Sequence, residues 1–338
     1  MAIWKSPLES LEMSMVAHKS FWKNKKVFIT GFEGFLGSNL TKTLISYGAK
    51  ITGLDIKVNR KCTIFSPVEY KKIKVIKGNV ANHKLLNEII SKNKIQIVFH
   101  LAAEALVGRG YSSPLRTFKS NICGTWNLLE ACRLAGNLEA IIMASSDKAY
   151  GAHKVLPYTE DAALQANHPY DVSKSCADLL GATYAHTYGV PVATTRCGNI
   201  YGPGDANFSR IVPDTIRCVL NGKKLVIRSD GKFTRDYVYV DDIVNGYIML
   251  AEQLQKKKLY GEAFNFSDEN PITVLKLVNK MYKIAGKKPN YKIQNKAKYE
   301  IKHQYLDSQK ARKTLGWKVN YSLEDGLKQS IEWYRVTN

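Results

Sequence analysis

The stretch KKVFITGFEGFLGSNLTKTLISYGAKITGLD, residues 25–55, contains the clearest structural pattern of the chain. Its first six residues, KKVFIT, are typical of a buried strand, and residues 38–49 (SNLTKTLISYGA) have the spacing of a helix that ends at Gly48. Residues 50–55 (KITGLD) follow as a second strand. A strand, a helix and a strand in this order predict a right-handed βαβ unit with parallel strands.

Strand-like and helical segments continue to alternate as far as residue 195. The strand-like runs are short and apolar, and the helical runs lie between or after them, as βαβ units require. The sequence therefore predicts an α/β fold, a Rossmann-type doubly wound parallel sheet covered by helices on both faces. The further strand-like runs are residues 71–78, 94–103 and 140–145, and the helical runs are residues 84–92, 114–135 and 170–188.

The regular alternation ends near Arg196. Glycine- and proline-rich loops such as GNIYGPGD, short strand-like runs and a late helix at residues 322–335 follow. We therefore expect a smaller mixed α/β lobe that binds the substrate. The expected boundaries are residues 1–20 for an N-terminal extension, 21–195 with a return at 238–266 for the sheet domain, and 196–237 with 267–338 for the second lobe.

Composition indicates a globular protein without a membrane span. Of the 338 residues, 45% are hydrophobic and 23% are charged, and no apolar run approaches the roughly 18 residues that span a bilayer. The N-terminus lacks the apolar core of a secretory signal. The cysteines have neither metal-ligand nor CxxC spacing, so we expect reduced thiols, no metal site and a cytoplasmic location. They are Cys62, Cys123, Cys132, Cys176, Cys197 and Cys218.

The formal net charge of +21 raises the question of a nucleic-acid partner. Most of the excess is lysine, spread along the chain in short pairs such as Lys25-Lys26 and Lys287-Lys288. The one tight run, residues 256–258, follows a helical pattern and is typical of a solvated loop. No zinc-finger spacing or aromatic-studded basic strand accompanies it. We therefore expect no nucleic-acid partner, while a basic surface favours an anionic small substrate.

Three glycines lie at the turn between the first strand and the first helix. Gly31, Gly34 and Gly37 have the spacing G-x-x-G-x-x-G, and such a turn lets the backbone approach a pyrophosphate at the helix N-terminus. Asp55 ends the second strand, where a carboxylate hydrogen-bonds ribose hydroxyls and repels a 2′-phosphate. The sequence therefore predicts a dinucleotide site that favours NAD over NADP. Two basic residues follow and keep NADP open as the alternative: Lys57 and Arg60.

Five residues near the middle of the chain have the types and spacing of a proton-transfer site. The run MASSDKAYG ends a strand and places Ser146, an acid (Asp147) and a base (Lys148) in a row; the alternative is a solvated pair in a loop. Tyr170 and Lys174 are four residues apart on a helical pattern, so they share one helix face. A nearby cation and the nicotinamide charge lower a phenol pKa from about 10, so we expect Tyr170 to be a usable base.

Together these motifs are similar to those of the extended short-chain dehydrogenase/reductase family. The resemblance runs from Phe21 nearly to the end of the chain and includes GFEGFLG, HLAA (residues 100–103), RCGNIYGPGD, FTRDYVYVDDIV and KARKTLGWKVNYSLEDGL. It implies an NAD-binding domain at residues 21–195. The NAD-binding residues that it implies are Gly31, Gly34, Phe35, Leu36, Gly37, Asp55, Asn79, Val80, Leu101, Ala102, Ala103, Tyr170 and Lys174.

Within this family, FWKNKKVFITG, SSDK and NHPYDVSK resemble CDP-glucose 4,6-dehydratases. Other nucleotide-sugar 4,6-dehydratases have Asp-Glu where this chain has Asp147-Lys148, and epimerases usually have small residues there. The resemblance implies oxidation of a hexose at C4, loss of water across C5–C6 and return of the hydride to C6. Tyr170 would deprotonate the C4 hydroxyl that Ser146 orients. Asp147 would protonate the leaving C6 hydroxyl and Lys148 would deprotonate C5, although which of the two moves the C5 proton stays open. The implied catalytic residues are Ser146, Asp147, Lys148, Tyr170 and Lys174.

The family also implies how the nucleotide sugar is bound. In the family, the Asn of the GN dipeptide (Asn199 here) and the Arg of the RDY segment (Arg235 here) contact the diphosphate. Residues 211–213 match the family segment that lines the nucleotide pocket. TRDYVYVDD has the general family form rather than that of CDP-glucose dehydratases, which leaves the base and the hexose open. Asn79 replaces a usual Asp, but its carbonyl can still accept a bond from the adenine amine. The implied substrate-binding residues are Asn199, Ile211, Val212 and Arg235.

The sequence thus predicts an NAD-dependent nucleotide-sugar 4,6-dehydratase, with CDP-glucose as the favoured substrate. The alternatives are a nucleotide-sugar 4-epimerase of the same fold and a catalytically idle NAD-binding protein. We also expect a homodimer, because residues 114–135 and 170–188 have apolar residues on more than one helix face. Members of the family pair these two helices in a four-helix bundle.

Overall fold

A seven-stranded parallel sheet forms the centre of the structure. The computed structural model describes residues 18–58, 64–296 and 300–337, so Arg60, Cys62 and most of the expected N-terminal extension lie outside the described residues. The strands are β1 (Lys26–Thr30), β2 (Lys50–Asp55), β3 (Ile73–Lys77), β4 (Ile97–His100), β5 (Ala140–Ala144), β6 (Val192–Cys197), β7 (Asn199–Tyr201), β8 (Leu225–Ile227), β9 (Thr234–Arg235), β10 (Tyr237–Tyr239), β11 (Ala263–Phe266), β12 (Ile272–Thr273), β13 (Tyr291–Ile293) and β14 (His303–Gln304). The central sheet has the order β3-β2-β1-β4-β5-β6-β11. The predicted doubly wound α/β class is confirmed.

Helices cover the sheet and continue into the second lobe. They are α1 (residues 18–22), α2 (Phe35–Ser46), α3 (Pro67–Tyr70), α4 (His83–Lys92), α5 (Val107–Ser112), α6 (Pro114–Phe118), α7 (Gly124–Ala135), α8 (Pro169–Tyr188), α9 (Ile211–Leu220), α10 (Val240–Gln253), α11 (Val274–Ile284), α12 (Gln309–Leu315) and α13 (Leu323–Thr337). The helix predicted at residues 38–49 begins earlier, because Gly34 is its N-cap and Gly37 lies in its first turn. A π-helical turn, Lys119–Cys123, joins α6 to α7.

Alternate residues of the central strands are buried on opposite faces of the sheet. In β1, Val27 and Ile29 belong to one hydrophobic cluster with Leu44 of α2, whereas Phe28 belongs to another with Leu128 of α7. Side chains alternate along a strand, so both faces of the sheet are covered. This double burial explains why the strands read as continuous apolar runs in the sequence.

The chain downstream of β6 forms small sheets and returns one strand to the central sheet. β7 pairs with β10, β8 pairs with β13, and β9 lies between β12 and β14. β11 pairs in parallel with β6, with Phe266 opposite Cys197. α9 and α11 pack on the β8 sheet through a cluster that includes Val219 and Val278. The smaller mixed lobe is therefore present, and its exact residue boundaries stay a prediction.

The part of the chain that the structure describes shows neither a membrane-spanning helix nor a cluster of metal ligands. Within it, none of the helices is long and apolar enough to cross a bilayer. The same residues contain no group of three or more His, Cys, Asp or Glu side chains that could hold a metal ion. Among the described cysteines, those with free thiols are Cys123, Cys132, Cys176, Cys197 and Cys218. The cytoplasmic location stays a prediction.

Candidate functional site

A cavity of about 1560 Å³ lies at the carboxyl ends of the parallel strands. Ligands of doubly wound sheets bind at this edge, beside the point where the strand order reverses. The wall combines the turns after β1, β2, β4 and β5 with β7, α9 and β9 of the second lobe. The predicted site residues all lie on this wall, namely Gly31, Gly34, Phe35, Leu36, Gly37, Asp55, Asn79, Val80, Leu101, Ala102, Ala103, Ser146, Asp147, Lys148, Tyr170, Lys174, Asn199, Ile211, Val212 and Arg235.

The turn between β1 and α2 forms one end of the cavity. Gly31 has a φ angle of +71°, in the left-handed region that favours glycine. A Cβ atom at Gly37 would lie 2.1 Å from the carbonyl oxygen of Gly31, so a larger residue would separate the helix from the turn. Gly34 is the N-cap of α2, and no side chain of the described residues caps it. The first amides of the helix can therefore bind an anion such as a pyrophosphate.

Two polar residues at the ends of β2 and β3 line the same end of the cavity. Asp55 is 6% exposed, and its carboxylate accepts a hydrogen bond from the backbone amide of Lys57 at 3.2 Å. The side-chain carbonyl of Asn79 accepts the amide of Ala81 at 2.9 Å. A carbonyl oxygen has two lone pairs, so Asn79 can accept a second hydrogen bond. Both residues therefore have the chemistry expected for contacts with an adenosine.

Ser146, Asp147 and Lys148 form a hydrogen-bonded group where β5 ends. The hydroxyl of Ser146 donates to Asp147 Oδ1 at 2.8 Å, and Lys148 Nζ lies 3.1 Å from Asp147 Oδ2. The side chain of Asp147 is 4% exposed and that of Lys148 is 22% exposed. A 3₁₀ helix, Asp147–Tyr150, with Ser146 as its N-cap sets their directions. The alternative of a solvated loop pair is wrong, because this ion pair is largely buried.

Tyr170 and Lys174 lie on one face of α8, as their spacing predicts. Lys174 Nζ donates to the carbonyl of Ala144 at 2.6 Å and lies 6.0 Å from the centre of the Tyr170 ring. Burial raises the pKa of Tyr170 to about 12, an effect that nearby Arg210 and a hydrogen bond with Ser146 only partly offset. The expected lowering of the Tyr170 pKa is therefore wrong for the protein by itself. Burial also lowers the pKa of Lys174 to about 8.

The residues expected at the nucleotide-sugar end belong to the second lobe. Asn199 begins β7, and its side-chain amide donates to the carbonyl of Asp236 at 3.2 Å. Ile211 and Val212 form the first turn of α9. Arg235 is 8% exposed and is not a surface charge. Its guanidinium donates to the backbone carbonyls of three residues, Thr234, Ile301 and Lys302.

Three further residues, two on the cavity wall and one behind it, were not predicted from the sequence. Asp171 is 5% exposed, and its Oδ1 has no hydrogen-bond partner among the described residues. Arg210 is the N-cap of α9 and pairs with Asp205 at 3.1 Å. Gln304 is fully buried and contacts both Lys148 and Asp147. The sequence could have indicated Asp171 as a site residue, because it follows Tyr170 directly. No local motif indicates Arg210 or Gln304.

Comparison with known proteins shows to which family the chain belongs. A family model described as GDP-mannose 4,6 dehydratase matches residues 28–330. The CDP-glucose 4,6-dehydratase of Salmonella typhimurium is 31% identical over 333 residues, which cover 94% of this chain and 92% of that protein.

Two solved structures show the same fold. The dTDP-glucose 4,6-dehydratase of Bacillus anthracis, in complex with NAD, has a TM-score of 0.82 and 26% identity, covering 92% of this chain and 97% of that one. The UDP-glucuronic acid 4-epimerase of Bacillus cereus, in complex with UDP-glucuronic acid and NAD, has a TM-score of 0.83 and 26% identity, covering 93% of this chain and 100% of that one. The predicted resemblance is confirmed, and the chain belongs to the GDP-mannose 4,6 dehydratase family, enzymes of the extended short-chain dehydrogenase/reductase type that include nucleotide-sugar dehydratases and epimerases.

Proposed function

We propose that the protein is an NAD-dependent nucleotide-sugar 4,6-dehydratase. The observation that supports it best is the buried Asp147–Lys148 ion pair, which shares a cavity wall with Tyr170 and Lys174. Oxidation at C4 of a hexose requires one base and a dinucleotide. Elimination of water across C5–C6 requires an acid and a base in addition. The cavity contains both sets of groups.

The dinucleotide end of the cavity fits NAD. The glycine turn and the uncapped N-terminus of α2 suit a pyrophosphate, and Asp55 suits ribose hydroxyls while it would repel a 2′-phosphate. When bound, NAD would supply the hydride acceptor and donor that the sugar requires. The residues that would hold it are Gly31, Gly34, Phe35, Leu36, Gly37, Asp55, Asn79, Val80, Leu101, Ala102, Ala103, Tyr170 and Lys174.

Tyr170 is the base proposed for the C4 hydroxyl proton. A phenol with a pKa of about 12 is a poor acceptor in its neutral form. We propose that the positive charge of Lys174, 6.0 Å from the ring centre, favours the phenolate in the complex with the dinucleotide. Lys174, with a pKa of about 8, still carries that charge at neutral pH. The hydrogen bond to Ala144 fixes the ammonium on this side of α8. Ser146 would orient the hydroxyl that loses its proton.

Asp147 and Lys148 are proposed to carry out the elimination. Transfer of one proton across the 3.1 Å contact converts the ion pair into a neutral acid and a neutral amine. Asp147 then donates its proton to the C6 oxygen as the C6–O bond breaks, and Lys148 takes the C5 proton as the C5–C6 double bond forms. The pair returns to carboxylate and ammonium, so the protons balance. Because Asp147 and Lys148 are neighbours in the chain, they suit a reaction at C5 and C6, which are neighbouring atoms of one hexose.

The second lobe is proposed to bind the nucleotide diphosphate. Asn199 and Arg235 lie on the wall with Arg210 and Arg228, and an arginine fork suits phosphate oxygens. Ile211 and Val212 would contact the nucleoside. CDP-glucose is the proposed substrate, on the basis of the SSDK and NHPYDVSK motifs and of the similarity to the Salmonella enzyme.

A nucleotide-sugar 4-epimerase is the second candidate, because the chain is 26% identical to both the solved dehydratase and the solved epimerase. An epimerase needs Tyr170 and Lys174 with the dinucleotide, but its reaction does not include the elimination of water. The buried Asp147–Lys148 pair would have no task in such an enzyme, which favours the dehydratase.

Incubation with CDP-, dTDP-, UDP- and GDP-hexoses, followed by mass analysis, tests this proposal. Loss of one water from a nucleotide hexose is the expected result, with CDP-glucose converted fastest. A product of unchanged mass and altered stereochemistry would identify an epimerase. No conversion of any sugar would favour an idle NAD-binding protein.

A further inference from the structure

Lys148 has a second hydrogen-bond partner 156 positions away in the chain. Its Nζ donates to Gln304 Oε1 at 2.6 Å, which is shorter than its distances of 3.1 and 3.2 Å to the two Asp147 oxygens. The other end of the same amide, Gln304 Nε2, donates to the backbone carbonyl of Asp147 at 2.9 Å. One side chain therefore contacts both members of the proposed acid–base pair.

Gln304 is itself held firmly by the second lobe. It is fully buried, and it lies in β14 opposite Arg235 of β9. Arg235 donates hydrogen bonds to the carbonyls of Ile301 and Lys302, the residues that lead into β14. Since both ends of its amide are bonded, the buried Gln304 side chain has one favourable orientation. The position of Lys148 thus depends on a strand of the second lobe.

An amide is chemically suited to this place. Its oxygen accepts a hydrogen bond from either the ammonium or the neutral amine form of Lys148, and it does not take up the proton. A carboxylate in its place would add a second negative charge beside Asp147 and would hold Lys148 as an ammonium. Gln304 can therefore orient Nζ while the proton remains free to move between Asp147 and Lys148.

We propose that Gln304 is a positioning residue for the elimination step, which fixes Lys148 Nζ against Asp147 and leaves the oxidation at C4 unaffected. The inference rests on the proposed dehydratase function. Tyr170, Lys174 and the glycine turn have no hydrogen bond to Gln304 among the described residues. The two halves of the reaction should therefore respond differently when Gln304 is changed.

The test uses Gln304→Met, which keeps the length of the side chain without its polar atoms, and Gln304→Asn, which keeps a buried amide but shortens its reach. Both variants should still reduce their bound dinucleotide when CDP-glucose is added. Formation of the dehydrated product should slow by about 10²-fold in kcat with little change in KM. Reduced dinucleotide should accumulate, and solvent deuterium should enter C5 slowly.

Gln309→Met is the matched control, since Gln309 is an exposed glutamine five positions along the chain. It should dehydrate the substrate at the wild-type rate. Product formation at the wild-type rate in both Gln304 variants would overturn the inference, as would an equal loss of oxidation and elimination.

A second measurement keeps this inference separate from the proposed function. Acetic anhydride should label Lys148 faster in Gln304→Asn than in the wild type or in Gln309→Met, as measured by peptide mass. If no nucleotide hexose loses water, the proposed function fails, and unchanged labelling of Lys148 would show that Gln304 does not hold it either. Faster labelling would support the proposal that Gln304 fixes the position of Lys148, independently of the reaction.

Discussion

Lys174 lies 6.0 Å from the centre of the Tyr170 ring and is anchored 2.6 Å from the carbonyl of Ala144. The end of β5 thus fixes the lysine, and its ammonium lies beside the phenol ring. Asp147 and Lys148 form a separate pair, and Ser146 is the residue that connects the two groups through its hydroxyl. Oxidation and elimination should therefore be separable by mutation.

Asp147→Asn should slow elimination strongly and preserve oxidation. The amide keeps the shape of the side chain but cannot donate a proton to the C6 hydroxyl, and general acid catalysis contributes about 10²–10⁴-fold. The 6-deoxy product should form more slowly by that factor. The absorbance of the reduced dinucleotide should still appear on the enzyme when substrate is added.

Tyr170→Phe is the control for this experiment, since it should lose the absorbance change as well as the product. Lys148→Ala should resemble Asp147→Asn if Lys148 removes the C5 proton, with slow entry of solvent deuterium at C5. Turnover of Asp147→Asn at nearly the wild-type rate would remove Asp147 from the mechanism and favour the epimerase.

Asp171→Asn should stabilise the protein at neutral pH. Burial, with a further contribution from Asp147, raises the pKa of Asp171 from 3.8 to about 6. Because the folded-state pKa is the higher one, the stabilising contribution is complete below about pH 3.8 and is lost as the pH rises through 6. At pH 7 the variant should have a free energy of unfolding about 1–3 kcal/mol above that of the wild type.

Urea unfolding over a range of pH values measures this difference, which should close as the pH falls towards 4. Asp161→Asn, at an exposed position, controls for a general effect of removing one carboxylate. A variant less stable than the wild type at pH 7 would contradict the prediction and would mean that the Asp171 carboxylate has a stabilising partner.

Gly37→Ala should destabilise the fold and weaken binding of the dinucleotide. A Cβ atom there would lie 2.1 Å from the backbone oxygen of Gly31, which cannot move without opening the turn. We expect a cost of about 3 kcal/mol or more in the free energy of unfolding and weaker binding of NAD. Thermal unfolding and titration of wild type and variant with NAD measure the two effects.

Gly108→Ala is the matched control for Gly37→Ala. Gly108 also lies on the cavity wall in a helix, α5, but a Cβ atom there meets nothing within 4 Å. Its substitution should be neutral or slightly stabilising, by up to about 1 kcal/mol. Equal effects of the two substitutions would show that the close approach of α2 to the turn has no special role.

We propose that the protein is a homodimer in solution, with α7 and α8 at the interface. Large apolar side chains on these helices are exposed, including Trp126 at 45%, Leu134 at 58% and Leu179 at 60%. Trp126→Arg and Leu179→Arg should convert the dimer to a monomer at micromolar concentration in light scattering. Val155→Arg, at a loop position that is 79% exposed, should have no effect. A wild-type monomer would contradict the proposal.

The sequence predicted the parallel sheet, and it predicted where the residues proposed for cofactor binding and for acid–base catalysis would lie, because these features depend on local patterns. The strand ends and the glycine turn fix Asp55, Ser146 and Asp147 at one edge of the sheet through backbone geometry alone. The four-residue spacing of Tyr170 and Lys174 was enough to predict that they share one face of a helix. Each of these residues therefore lies on the cavity wall as its position in the sequence implied.

Other features depend on contacts between distant segments. Gln304 reaches Lys148 only because β14 pairs with β9, and no motif at residues 303–304 indicates it. The raised pKa of Tyr170 results from burial by the folded chain, which spacing does not reveal. The sequence also did not indicate what holds the Arg235 guanidinium, since two of its carbonyl partners come from residues 301 and 302.

The late return of β11 to the sheet has a consequence for protein synthesis. All six residues of β6 are buried, and β11, which covers its outer edge, ends only at Phe266. At 5–20 residues per second, a ribosome needs about 3–14 s to reach the end of β11 after β6 is complete. During that interval β6 is an edge strand whose outer backbone groups are unpaired, and another chain can add to it. A pause of the ribosome between these strands should therefore increase aggregation of the nascent protein and its dependence on chaperones.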